Sequence, residues 1–306
     1  MLIMGLVVTA SLAGSFAFAK KALKFAFLRP KVSMEKFHQI PFKELAQTAT
    51  LSRLAYADPS NLKSHLLNYK DKDLIDESML EDQKFYDGNP ISDTQAYVWW
   101  MKDKKKVYVC FRGTSNVSDA IADIDVRYHT FDIDEDEPNI KVHNGFYTQL
   151  MAVYDNISKD LLARTEDFDT IIVGSHSLGA ACSTLAACKL VKDFPDKQVH
   201  CHTFGCPRVG NNEFVKWFNQ HVKHNWRVFN EQDPVSMVPL SFRFTHVDNG
   251  ICIDDNGNVK EAKQDYPWWL RIFASLPAID YNAPIQDHDC DLYIERLNSY
   301  TRLEKT

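Results

Sequence analysis

Ile171-Ile172-Val173-Gly174-Ser175-His176-Ser177-Leu178-Gly179-Ala180-Ala181 is the stretch from which the fold can be read. Its β-branched start makes a buried strand, and the small residues after Leu178 make a helix. Between them there is room only for a tight turn, and small neighbours must surround its apex. A strand that turns sharply into a helix, with serine at the apex, is the context of a nucleophile elbow. The spacing here is S-x-S-x-G, with Ser175 where glycine is usual. A structural turn serine is the competing reading. The first N–H groups of a helix lack internal partners, and the helix dipole adds positive charge there. The N–H of Leu178 is therefore placed to hold a developing oxyanion next to Ser177.

Outward from the elbow, strands alternate with helices. Strands are predicted at Ala96–Met101 and Val107–Phe111, joined by the charged turn 102–106, and at Thr170–Gly174, Gln198–Phe204 and Trp226–Asn230. Helices are predicted at Pro41–Ala57, Phe146–Arg164, Leu178–Phe194, about Asn211–His221 and Asp287–Tyr300. This alternation argues for an α/β fold: a mostly parallel central sheet with helices on both faces.

Four further segments, with the elbow, carry a family resemblance. Cys110-Phe111-Arg112-Gly113-Thr114 is similar to an F-R-G-[ST] strand, and Val142-His143-Asn144-Gly145-Phe146 to an H-x-G-F helix start. Thr203 to Asn211 resembles T-F-G-x-P-R-V-G-[ND], and Asn230 to Pro239 resembles a D-[PI]-V-x-x-x-P segment. In this order, from about Leu51 to Leu297, they resemble the class 3, fungal-type lipases of the α/β-hydrolase superfamily. The resemblance implies an α/β-hydrolase fold and a Ser-His-Asp mechanism without a cofactor. It also implies a second oxyanion N–H from Thr114, worth about 3 kcal/mol of barrier. A plain strand-end turn at Gly113 is the alternative there.

A serine nucleophile needs a histidine base, and the base needs a carboxylate to fix its tautomer. Asp233, just past a strand end, is the preferred acid, with Glu231 and Asp248 as competitors. His288 is the preferred base, in Asp287-His288-Asp289-Cys290-Asp291-Leu292-Tyr293, similar to the family's final D-H-x-x-x-x-Y; His246 is the alternative. His176 reads as packing, and His200, His202, His221 and His224 as strand or surface residues. Val117, Ala120, Ile121 and Ile124 fall on one face of a short helix. The resemblance implies a lid there, and an ordinary surface helix is the other reading. Tyr266-Pro267-Trp268-Trp269 could line an acyl groove, meet a membrane interface, or belong to the core.

Composition narrows the function further. The 306 residues are 45% hydrophobic and carry a net charge of −6, which excludes a disordered chain and disfavours nucleic-acid binding. The odd cysteine count, seven, points to buried free thiols rather than a disulfide framework. No metal constellation stands out, and Asp254-Asp255-Asn256-Gly257-Asn258 reads as an acidic hairpin turn. Residues 1–19 carry no charge and end in Ala17-Phe18-Ala19, so a cleaved signal peptide, a membrane anchor and a buried helix are all readings. Residues 20–306 are expected to form one domain, secreted or membrane-anchored through residues 1–19. The expected function is lipid-ester hydrolysis, with triacylglycerol or monoacylglycerol first and a phospholipase A1-type or other ester second. The partners are then a lipid or ester substrate and a lipid–water interface or membrane. A catalytically dead binding protein is the rival.

Overall fold

Strands without polar alternation need cover on both faces, and the structure supplies it. This computed structural model describes residues 31–67, 74–75, 77–88, 94–114, 116, 126–239, 243–262 and 284–303. Eight strands form one sheet: β1 (Gln83–Asp87), β2 (Gln95–Met101), β3 (Lys106–Phe111), then β6 (Thr170–His176), β7 (Gln198–Phe204), β8 (His224–Asn230), β9 (Gly250–Ile253) and β10 (Val259–Ala262). They lie side by side in chain order. β3, β6, β7, β8 and β9 pair in parallel, while β1–β2, β2–β3 and β9–β10 pair antiparallel. A separate small ladder joins β4 (Tyr128–Thr130) to β5 (Lys141–His143).

The side-chain period of two divides the core. Val107, Val109, Phe111, Ile171 and Val173 face α4 (Asn144–Met151), α5 (Tyr154–Leu162), α6 (Leu178–Asp193) and α7 (Asn212–His221). Tyr108, Cys110 and Ile172 face the other side, against α2 (Phe42–Leu54), α3 (Leu62–Leu67) and α8 (Cys290–Leu303). A short α1 (Met34–Gln39) precedes α2. All seven cysteines are free and buried.

Two expectations are corrected. Phe146–Arg164 is not one helix but α4 and α5, broken where Val153 leaves helical backbone at φ −130°. The apolar residues Leu150, Val153, Ile157 and Leu161 keep their spacing across the break and enter one core, so periodicity alone cannot register it. His288 does not open the last helix: it ends a 3₁₀ turn, Pro284–His288, and α8 begins at Cys290. Residues 254–258 do form the turn between β9 and β10, where Asp254 Oδ1 accepts from the N–H groups of Asn256 and Asn258. Residues 1–19, the lid residues Val117, Ala120, Ile121 and Ile124, and the Trp268-Trp269 pair lie outside the described residues.

Candidate active site

Ser177 sits between the end of β6 and the start of α6 at φ 62°, ψ −132°. Such a conformation costs a non-glycine residue about 1–3 kcal/mol and holds only where the surroundings enforce it. Enforcement comes from both sides. A Cβ at Gly179 would stand 2.3 Å from the Phe111 carbonyl oxygen, so only glycine lets α6 close onto the end of β3. Ser175 also has a task. Its Oγ accepts the N–H of Phe111 at 2.7 Å and pairs with Ser183 Oγ at 2.7 Å. A hydroxyl thus continues the bonding between β3 and β6 where the backbone ladder has ended.

Ser177 Oγ lies 2.8 Å from His288 Nε2. His288 Nδ1 lies 3.0 and 2.9 Å from the two oxygens of Asp233. All three side chains are buried. A carboxylate only accepts, so Nδ1 carries the hydrogen and Nε2 turns its lone pair to the serine hydroxyl. The structure therefore brings together Ser177, Asp233 and His288. It leaves the competitors elsewhere: Glu231 pairs with Lys260 at 2.9 Å, Asp248 accepts from Asn219 at 2.9 Å, and His246 Nε2 bonds the Ser236 carbonyl at 2.7 Å.

The array is held from behind by Tyr293, Asn230 and Tyr56, which sequence reasoning did not assign, and by His176, which it read as packing. Asp233 accepts from the Val235 N–H at 2.8 Å and from the Tyr293 hydroxyl at 2.5 Å. Burial and the Asp233 charge push the Tyr293 phenol far up, so it stays a donor. Tyr293 is the tyrosine of the D-H-x-x-x-x-Y pattern, a signal that was present in the sequence. Asn230 Nδ2 donates to the Asp287 carbonyl at 2.7 Å, tying the His288 turn to the end of β8. His176 Nε2 donates to the His288 carbonyl at 2.7 Å, and its Nδ1 accepts from Tyr56 at 3.0 Å.

Thr114 follows β3 and is half-buried; its Oγ1 accepts from the Asn116 N–H at 3.3 Å. Leu178 is the first residue of α6, where backbone N–H groups have no intrahelical acceptor. Arg112 donates to Gln95, tying the end of β3 to the start of β2. Away from this centre, Glu44, His200 and His202 converge on one point, although the sequence reading treated these histidines as ordinary strand or surface residues.

Two expected results follow from these contacts. Gly205 has φ +59°, and a Cβ there would lie 2.5 Å from Asp233 Oδ2 and 2.9 Å from His288 Nδ1. Gly205→Ala is expected to cost about 1–3 kcal/mol of stability and to lower kcat by about 10²-fold through misplacement of His288. Urea denaturation alongside steady-state kinetics separates the two effects. His176 is kept neutral, its pKa pushed well below the ordinary value by burial and by neighbouring His288. Below the unfolded-state pKa of about 6.5 the unfolded chain takes up a proton that the folded chain refuses. That contribution is intact at pH 7 and is lost as pH falls, by roughly 1 kcal/mol per pH unit. The urea midpoint should drop more steeply between pH 7 and pH 5 in the native protein than in His176→Gln.

Residues 108–242 match the family model for lipase (class 3). A lipase of Rhizopus niveus is 33% identical over 165 residues, covering 51% of this chain and 41% of that protein. The secreted mono- and diacylglycerol lipase 1 of Fusarium solani is 32% identical over 177 residues, covering 55% of this chain and 51% of that protein. The chain thus spans about half the length of these curated relatives. The solved structure of lipase II from Rhizopus niveus superposes with a TM-score of 0.62 at 23% identity, covering 85% of this chain and 95% of the other, and shows a common fold.

Proposed function

The chain belongs to the class 3 lipase family of the α/β-hydrolases, and from that premise we propose that it is a serine carboxylester hydrolase acting on lipid esters. The observation that carries this reading is the continuous hydrogen-bonded path from Ser177 Oγ through His288 to Asp233, built on a strained elbow. Ser177 Oγ attacks the ester carbonyl while His288 Nε2 takes its proton. Charge builds on the carbonyl oxygen, and the N–H groups of Leu178 and Thr114 receive it. The tetrahedral intermediate collapses as His288 returns the proton to the departing alcohol. A water molecule, deprotonated by the same nitrogen, then releases the acyl group as a carboxylic acid. Asp233 keeps His288 in the tautomer that does this and stabilises the imidazolium.

Acylglycerols are the proposed substrates, because the relatives are named for triacylglycerol and for mono- and diacylglycerol hydrolysis. Secretion is proposed on the same ground, with residues 1–19 as the export signal. No helix among the described residues is long and apolar enough to cross a membrane.

The test combines a fluorophosphonate probe with p-nitrophenyl esters of short and long acyl chains, assayed with and without a lipid emulsion. Label recovered on Ser177 by peptide mass spectrometry, together with ester turnover, is the expected result. A folded protein that takes no label and turns over no ester would leave the lipase-like binding protein as the better reading. A rate increase at the emulsion is the expected signature of a lid in the segment containing Val117 and Ile124.

A further inference from the structure

Glu44 lies in the first turn of α2, and His200 and His202 are alternate residues of β7, which places both rings on the same face of the sheet. The helix packs across that face. One ligand atom from each of the three residues lies within 4.8 Å of the other two. Glu44 Oε1 is 3.1 Å from His200 Nδ1 and 3.7 Å from His202 Nε2. Bonds of about 2.0–2.1 Å in a tetrahedral site place neighbouring ligand atoms about 3.3 Å apart. The two observed edges lie on either side of that value.

The hydrogen bonds around His202 favour a cation. Thr48 Oγ1 donates to the Glu44 carbonyl at 2.8 Å, so it accepts from His202 Nδ1 at 3.1 Å. The ring hydrogen is then on Nδ1, and Nε2 turns a lone pair toward Glu44 Oε1, beyond hydrogen-bond reach. Two acceptors facing each other gain from a positive ion between them. A far-side N–H held by an oxygen is also how metal-binding imidazoles are oriented. The Glu44 carboxylate is prepared in the same way: Lys106 Nζ holds Oε2 at 2.5 Å and leaves Oε1 turned toward the rings. His200 Nδ1 donates to Glu44 Oε1 at 3.1 Å, and an ion at this point would take the place of that ring hydrogen. His200 and Glu44 keep 18% and 16% of their side-chain surface, which gives water and an ion a way in.

We propose that Glu44 Oε1, His200 Nδ1 and His202 Nε2 form a binding site for a divalent ion of the zinc class, with water in the remaining position. Two imidazoles and one carboxylate suit zinc or cobalt rather than magnesium or calcium. The site is separate from Ser177 and does not depend on the esterase reading. Its effect is mechanical. An ion there joins α2 to β7, and α2 also braces the elbow strand, because Ser52 Oγ donates to the Gly174 carbonyl at 3.1 Å.

The experiment uses the full chain after chelator treatment and dialysis, titrated with zinc and, separately, with cobalt. The expected result is one zinc per chain, a higher melting temperature with zinc, and a visible cobalt spectrum of a four-coordinate site. X-ray absorption on the zinc-loaded native protein should report two imidazole ligands, which also distinguishes this site from an ion held by His288 alone. Glu44→Gln and His200→Asn should each weaken binding by at least ~10-fold and abolish the zinc-dependent rise in melting temperature. No retained zinc, fewer than two imidazoles, or undiminished affinity in folded variants would overturn the proposal. Should the variants not fold, the absorption spectrum of the native protein decides alone.

Discussion

Ser177→Ala is expected to lower kcat for ester hydrolysis by about 10⁴–10⁶-fold while leaving the fold in place. The loss is large because the variant removes the atom proposed to form the acyl-enzyme, and among the described residues no nearby hydroxyl is free to replace it. His288 Nε2 is aimed at Ser177 Oγ at 2.8 Å, and Ser175 Oγ is already committed to Phe111 and Ser183. A residual rate over water is expected, because the N–H groups proposed to hold the oxyanion belong to the backbone and survive the substitution. Alanine needs the same positive φ as serine at this turn, so the backbone strain is unchanged. Initial rates on a p-nitrophenyl ester, with circular dichroism of both proteins, check the prediction. Retention of more than about 1% of the native kcat would place the nucleophile elsewhere.

Asp233→Asn is expected to cost about 10⁴-fold in kcat with little change in overall structure. The reason lies in the donors around the carboxylate. Val235 N–H donates to Oδ1, the Tyr293 hydroxyl to Oδ2, and His288 Nδ1 lies against both oxygens. An amide keeps one acceptor and turns two hydrogens toward these donors. Facing His288, the amide N–H favours the tautomer with its lone pair on Nδ1. Nε2 then carries the hydrogen toward Ser177 and cannot take the serine proton. Facing Tyr293 or Val235, it sets donor against donor in a buried site, which costs about 1–3 kcal/mol. Kinetics and urea denaturation on the same preparation give the two readouts. A variant of native activity would remove Asp233 from the proposed mechanism.

The elbow was legible because backbone sterics and composition agree there. A β-branched run, small residues about the turn and a small-residue helix leave few structures open. The strand Gln198–Phe204 was placed at its observed ends, since its limits coincide with turn residues. The break at Val153 was not legible, because apolar spacing survives it. Ser175 stands where glycine is usual in such a turn and is a bonding partner in the fold. That partner, Phe111, is 64 residues away along the chain. Tyr293 and Tyr56 were missed for a related reason: a tyrosine reads as core until the position of its hydroxyl is known.

By itself, the sequence determined the alternation of strands and helices, the serine at the turn, and the candidates Asp233 and His288 for acid and base. These follow from periodicity, turn sterics and local order along the chain. Only the tertiary structure decided which carboxylate and which imidazole meet Ser177, and that Glu44 crosses His200 and His202. Asp233 and His288 come to Ser177 from segments 56 and 111 residues beyond it, and α2 reaches β7 across more than 150 residues. Contacts over such separations are set by how layers pack on the sheet, a property that local spacing does not encode.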